Sequence, residues 1–273
     1  VVPSQYLGER YGVVLKMVDL DPHDPRKTIL TKIEAAFTPA TRMVFISHVE
    51  YSTGLRMPAE EIRQLTAERG ILFMLDGAQS GGHIALDMAR SGFDFYSIPG
   101  QKWLLGYEGT GALFIRKEHQ ERIHPAHTGG RGVVSHMDVH NFQPVSGTME
   151  KFLGGSSSVP LQAAFLEAVK FVEEVGIKNI EERNLDLADS AKAKLSEIPG
   201  VTVISPSERR DSSGLVSFSV GDQTPVSVVS KLWENHQIVV RQVNYPAAVR
   251  VSLHFFNTEQ EVELLAGAVR ELV

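Results

Sequence analysis

The hydrophobic pattern of this chain specifies an α/β fold: a mostly parallel sheet flanked by helices, followed by a smaller C-terminal α+β domain. Three observations carry that reading. Short apolar runs at 41–47, 71–75 and 93–98 are separated by helical stretches, the strand–helix–strand signature of a parallel sheet with right-handed crossovers. The run Ile71-Leu72-Phe73-Met74-Leu75, bounded by Gly70 and Asp76-Gly77, is short enough for a strand buried on both faces. Beyond about residue 172 two long helices lead into short strands alternating with helices. The expected domains are therefore 1–172 and 173–273.

In chain order, residues 6–10 end a helix, and 12–18 read as a short strand entering a loop at 19–25. Residues 28–37 are amphipathic, with Ile29, Ile33, Ala36 and Phe37 at helical spacing. The strand 41–47 ends in a polar loop from Ser47 to Gly54, and a helix over 59–69 starts just after Pro58. The strand at 71–75 then delivers Asp76, and the run 93–98 delivers Lys102 on a Pro99-Gly100 turn. Gly106, Gly109 and Gly111 precede a strand at 112–115 and do not join a strand to a helix, which argues against a dinucleotide fingerprint. Residues 125–158 are rich in Gly, Ser, His and Asn, a loop long enough to be functional or mobile.

The helix expected over 159–175 carries Leu161, Ala164, Phe165, Ala168, Val169 and Val172 on one face and stops at Gly176. A second runs over 177–198 to Pro199-Gly200. Strands are then expected at 201–204, 214–220, 237–241 and 249–254, with helices at 225–235 and 258–272.

Composition removes several classes of function. The 273 residues carry a formal net charge of −6, with 22% charged and 42% hydrophobic residues, so nothing electrostatic favours nucleic acid or an anionic membrane. Zero cysteines exclude disulfides, thiolate metal sites and a cysteine nucleophile on this chain. No signal peptide or membrane-length apolar run is visible, which makes the cytoplasm the expected location. Gly77-Ala78-Gln79-Ser80-Gly81 is not a Gly-x-Ser-x-Gly nucleophile elbow, against a hydrolase. His119, His124 and His127 lack metal-type spacing and read as a solvated helix end.

Asp76 and Lys102 should both emerge at the carboxyl edge of the sheet, where open α/β folds bind ligands. One carboxylate and one amine suit pyridoxal 5'-phosphate, which needs a lysine for its Schiff base and an acid to keep its pyridine nitrogen protonated. Gln79 is spaced to hydrogen-bond the ring's phenolic oxygen.

Asp76-Gly77-Ala78-Gln79, then Gly100-Gln101-Lys102-Trp103-Leu104 and Gly109-Thr110-Gly111, resembles the class V aminotransferases of pyridoxal-phosphate fold type I. That family also includes cysteine desulfurases, C–S lyases and isopenicillin N epimerase. The resemblance implies a homodimer with Lys102 as Schiff base and general base, its amine tuned by burial. It places His48, Ser47, Tyr51 and Thr53 in the loop of substrate and ring contacts, although desulfurases have Asn where Tyr51 stands. Near the lysine the desulfurase pattern is Ser-x-His-Lys. Here Pro99 offers no hydroxyl, which leaves Gln101 and Ser97 for the phosphate. Residues 151–160 resemble the segment that reaches the neighbouring subunit's phosphate, with Ser156 at the hydroxyl position, while a plain helix-capping loop explains them equally.

Arg250 falls where the family grips the substrate carboxylate, with Arg241 as its rival. Against the family, the chain lacks an N-terminal portion that carries the phosphate turn and a ring-stacking residue. The expected function is chemistry at the α-carbon of an amino acid, aminotransfer first, with C–S elimination and epimerisation as alternatives. A catalytically silent fragment or partner subunit is the alternative of another class.

Overall fold

Two four-stranded sheets organise the chain. The structure, a computed structural model, describes residues 2–135, 137–138 and 140–273. In the first sheet β1 (Met43–Ser47), β2 (Leu72–Asp76), β3 (Phe95–Pro99) and β4 (Gly111–Ile115) lie side by side in that order. The first three are parallel and β4 runs antiparallel to β3. Helices Arg26–Ala35 and Ala59–Ala67 cover one face, where Ile29, Ile33 and Ile62 bury Phe73, Leu75 and Tyr96.

The other face is open only in part, with Phe95 and Ile115 buried on it. Met43, Phe45 and Leu113 are 44%, 50% and 48% exposed there, and Asp76 and Ser97 share this side by register. The strand ending at Asp76 is therefore buried on one face and half-buried on the other, against the expectation of burial on both. An uninterrupted apolar run gives a strand's capacity for burial on two sides. Whether anything packs on the second side is decided elsewhere in the fold.

The second sheet is wholly antiparallel. It comprises β5 (Val201–Val203), β6 (Leu215–Val220), β7 (Arg241–Asn244) and β8 (Ala247–Ser252), ordered β5-β6-β8-β7. Val216, Phe218, Val249 and Val251 form its core with helices Ile177–Ser196, Pro225–His236 and Glu259–Arg270. The last helix begins with a capping box between Thr258 and Glu261, two reciprocal bonds that satisfy otherwise orphaned N–H groups. The opposite face carries Ser217, Arg250 and, across the β7–β8 pair, Arg241.

Two expected strands differ. Residues 12–18 form none: they run alongside no other strand, and Val14 is 89% exposed. The strand expected at 237–241 begins only at Arg241. Gln237 caps the preceding helix in the left-handed region, with φ 58°, and Ile238 still donates to the carbonyl of Leu232, so the chain is leaving a helix there. Helix Val159–Val175 forms as expected, but of its apolar face only Val172 is fully buried. Among the described residues no helix is long and apolar enough to cross a membrane.

Candidate active site

The register of the first sheet fixes the edge. Ser47 pairs with Asp76 and Asp76 with Ser97, so three strand ends finish level. Asp76 Oδ1 accepts from the Ala78 N–H at 2.8 Å, which turns the chain sharply, and Gly77 N–H donates to the Ser97 carbonyl at 2.7 Å. The turn 77–82 then lies flat on β3. A Cβ on Gly77 would sit 2.5 Å from Tyr96 Cζ, and Ser80 Oγ is 2.7 Å from Tyr96 Oη. Burial pushes the Tyr96 phenol up to about 12, so it stays protonated.

The lysine turn is clamped to the same place. A Cβ on Gly82 would lie 2.6 Å from the Trp103 carbonyl oxygen, and Trp103 Nε1–H donates to Gln79 Oε1 at 2.9 Å. Segments bearing Asp76, Gln79 and Lys102 are thus in direct contact through the neighbours of all three. Lys102 itself is exposed, as is Gln101. The burial expected around its amine is not found, because the turn projects from the sheet edge. Ser97 is half-buried beside Asp76. Ser156 is exposed in the loop before helix Val159–Val175, whose N-cap is Ser158.

The loop after β1 is held from the second sheet. Carbonyls of four consecutive residues are captured: Tyr51 by Arg250 Nη1 at 2.7 Å, Ser52 by Ser217 Oγ, Thr53 by Ser205 Oγ at 2.5 Å and Gly54 by Ser213 Oγ at 2.8 Å. Glu50 Oε2 accepts the N–H groups of Ser52 and Thr53 at 2.9 and 2.8 Å. Tyr51 is exposed with its ring 5.9 Å from the Arg250 guanidinium carbon. Arg250 is only 9% exposed, and its Nε is buried without a partner among the described residues. Burial and the facing Arg241 lower its pKa from the usual arginine value. Arg241 is exposed and pairs with Arg250 in the β7–β8 register.

His48 is buried at the end of β1 with Nδ1 unpartnered, edge-on to Tyr96 at 6.2 Å between ring centroids. Burial, then Arg56, pushes it down to about 3, so the ring is neutral. His119 is not the solvated helix end expected: it is buried and bonded to Asp94 at 2.7 Å. Asp94, Glu118 and His119 bring ligand-type atoms together. The Asp94 oxygens, however, already serve His119, the Phe73 N–H and Arg63, which makes this a structural tie between strands.

Trp103, His83 and His254 carried no spacing signal. The one hint was a buried-type aromatic with a polar handle next to the lysine; the histidines, at 83 and 254, are far apart in the chain.

The residues fit pyridoxal phosphate. Asp76 has Oδ2 left over and the Gln79 amide has a free end. A carboxylate, an amide and a turn-borne lysine at the carboxyl edge of a parallel sheet define a cofactor-dependent enzyme of the α/β class.

The family model described as Aminotransferase class-V matches residues 1–265. The chain belongs to this pyridoxal-phosphate-dependent enzyme family. It is 31% identical over 278 residues to isopenicillin N epimerase of Streptomyces clavuligerus, covering 97% of this chain and 69% of that protein. A probable cysteine desulfurase of Mycolicibacterium paratuberculosis is 30% identical over 283 residues, covering 100% of this chain and 40% of the relative. The apo cysteine desulfurase of Thermococcus onnurineus NA1 superposes with a TM-score of 0.90 at 26% identity, covering 100% of this chain and 69% of that one. The chain therefore spans from 40% to 69% of the length of these relatives.

Proposed function

We propose that this chain carries pyridoxal-phosphate chemistry at the α-carbon of an amino acid, with aminotransfer to a 2-oxo acid as the reaction. The observation that carries it is the clamp between turn 77–82 and the lysine turn, which holds Asp76, Gln79 and Lys102 at one edge. Bound cofactor supplies an electron sink that acidifies the substrate's α-proton. Asp76 Oδ2 would hold the proton on the pyridine nitrogen. Gln79 donates to the phenolic oxygen, and Gln101, Ser97 and Ser156 are the donors available to the phosphate. Lys102 Nζ holds the cofactor and moves the α-proton. Arg250, beside Tyr51, is the guanidinium that takes the substrate carboxylate.

Aminotransfer needs one amine to shuttle one proton, whereas desulfuration through a persulfide needs a cysteine that the sequence does not contain. Epimerisation is the second reading, supported by the 31% identity to isopenicillin N epimerase. In the test, purified chain is mixed with pyridoxal phosphate and its visible absorbance followed. A band lost in Lys102→Ala supports the reading, and a chain that stays colourless with added cofactor refutes it. Amino acids are then offered with a 2-oxo acid. Appearance of a new amino acid and 2-oxo acid supports aminotransfer, inversion alone supports epimerisation, and pyruvate with sulfide supports C–S cleavage. The domain division at 172/173, the homodimer and a cytoplasmic location belong to this same proposal.

A further inference from the structure

Between the two sheets lies a buried relay in which every polar hydrogen can be assigned by chemistry. The indole Nε1–H is a donor only, so the atom it meets on Gln79 at 2.9 Å is the amide oxygen, Oε1. The NH₂ end of Gln79 makes no hydrogen bond among the described residues and is not among the sealed, unpartnered atoms. It is the accessible end of the amide.

The indole is itself held on three sides. His83 stacks on it at 3.9 Å between centroids and 19° between planes, and the His254 ring lies 5.0 Å away. Gly214 closes the remaining side, where a Cβ would lie 3.2 Å from Trp103 Cη2 and 2.3 Å from the Leu253 carbonyl oxygen. His83 Nε2 accepts the Gly214 N–H at 2.8 Å, so its proton sits on Nδ1 and is donated to the Gln79 carbonyl at 2.9 Å. His254 Nδ1 accepts the Phe255 N–H at 2.9 Å, so Nε2–H is donated to the Trp103 carbonyl at 3.0 Å. Burial keeps His83 neutral, with its pKa about 3. The ring that would donate in both directions if charged is thus a fixed tautomer.

We propose that Trp103 is a positioning residue for the cofactor: its indole N–H locks the Gln79 amide with NH₂ turned toward the ring's phenolic oxygen. The inference rests on the cofactor reading above. Without the indole donor, the Gln79 amide is free to flip and present its carbonyl to an oxygen that repels it. Losing a donor at the phenolic oxygen would destabilise negative charge there, which the nitrogen joining Lys102 to a bound cofactor would increase on losing its proton. That nitrogen then keeps its proton to higher pH.

The test is a pH titration of the visible absorbance of the cofactor-loaded chain. Trp103→Phe keeps an aromatic ring against His83 and removes the N–H donor together with the volume of one ring. Its midpoint should move up by roughly 0.5–1 pH unit, the size of one net hydrogen bond. Gln79→Leu should move it the same way, and the double variant no further. An unmoved midpoint in Trp103→Phe overturns the proposal, as do shifts that add in the double variant. Should Phe loosen the fold, benzothienylalanine at position 103 supplies an indole shape without the N–H and is read identically. A parent chain with no Lys102-dependent band refutes the cofactor site itself, an outcome distinct from a normal parent band and an unmoved variant.

Discussion

Replacing Gly82 by alanine tests the close approach on which the site depends. Gly82 has φ +86°, and a Cβ there would lie 2.6 Å from the Trp103 oxygen, 2.7 Å from the Leu104 nitrogen and 2.7 Å from the Trp103 carbonyl carbon. All three are backbone atoms, so no side chain can swing aside. The left-handed conformation costs alanine about 1 kcal/mol, and overpacking against fixed backbone adds about 1–3 kcal/mol. The sum, about 2–4 kcal/mol, corresponds to a fall in Tm of roughly 4–16 °C for a chain of this size.

Gly70→Ala supplies the control, since Gly70 has φ +65° and nothing within 4 Å of the added carbon. It should cost only the conformational part, about 1 kcal/mol. Thermal and urea denaturation of both variants give the comparison, with cofactor absorbance recorded alongside. Equal losses in the two would refute the close contact between turn 77–82 and the lysine turn. The joint placement of Asp76, Gln79 and Lys102 would fall with it.

Stability should decline with acid through His48 and His83. Burial is the largest cause in both, and each folded-state pKa is about 3 against an ordinary 6.5. Between these values the unfolded chain binds a proton at each ring and the folded chain does not, so stability is full above about pH 6.5 and falls as pH drops toward 3. The slope is about 2.7 kcal/mol per pH unit for the pair, and His83→Gln should remove one proton's share of it in urea midpoints taken at pH 4–6. An unchanged slope would count against a buried neutral His83. Arg250→Lys should raise the KM for amino acid about tenfold or more while leaving the cofactor band in place. If Arg241→Gln raises it instead, Arg241 is the carboxylate ligand. Ser213→Ala leaves the Gly54 carbonyl without its donor and should cost about 1–3 kcal/mol in denaturation midpoints. No loss would mean that the loop 51–54 is not held through that bond.

The Asp-x-x-Gln turn and the Gly-Gln-Lys turn were legible because each follows an apolar run that only a strand accommodates. Strand ends in a parallel sheet bring their next residues to one edge. Arg250 was singled out by its place in the family pattern, with Arg241 as its rival, and not by spacing. The half of the site made by backbone was not. Four carbonyls caught by Arg250, Ser217, Ser205 and Ser213 leave no trace in the sequence, because a carbonyl is common to every residue and serines are ordinary strand and loop residues. His119 shows the opposite error. The lack of metal-type spacing among His119, His124 and His127 suggested a solvated helix end, whereas Asp94, just before β3, draws His119 into the core.

Local pattern, then, determined the parallel sheet, the alternation that builds it and the carboxylate, amide and amine at its edge, since these follow from chain-neighbour spacing and strand length. Only the tertiary structure decided which end of the Gln79 amide is free, that part of the sheet's second face stays open and that Lys102 stands exposed. Each of those depends on what packs against a residue from far along the chain. Amide orientation in particular is set by a single donor, Trp103 Nε1–H, whose own position is fixed by Gly214 and His254 of the second sheet region.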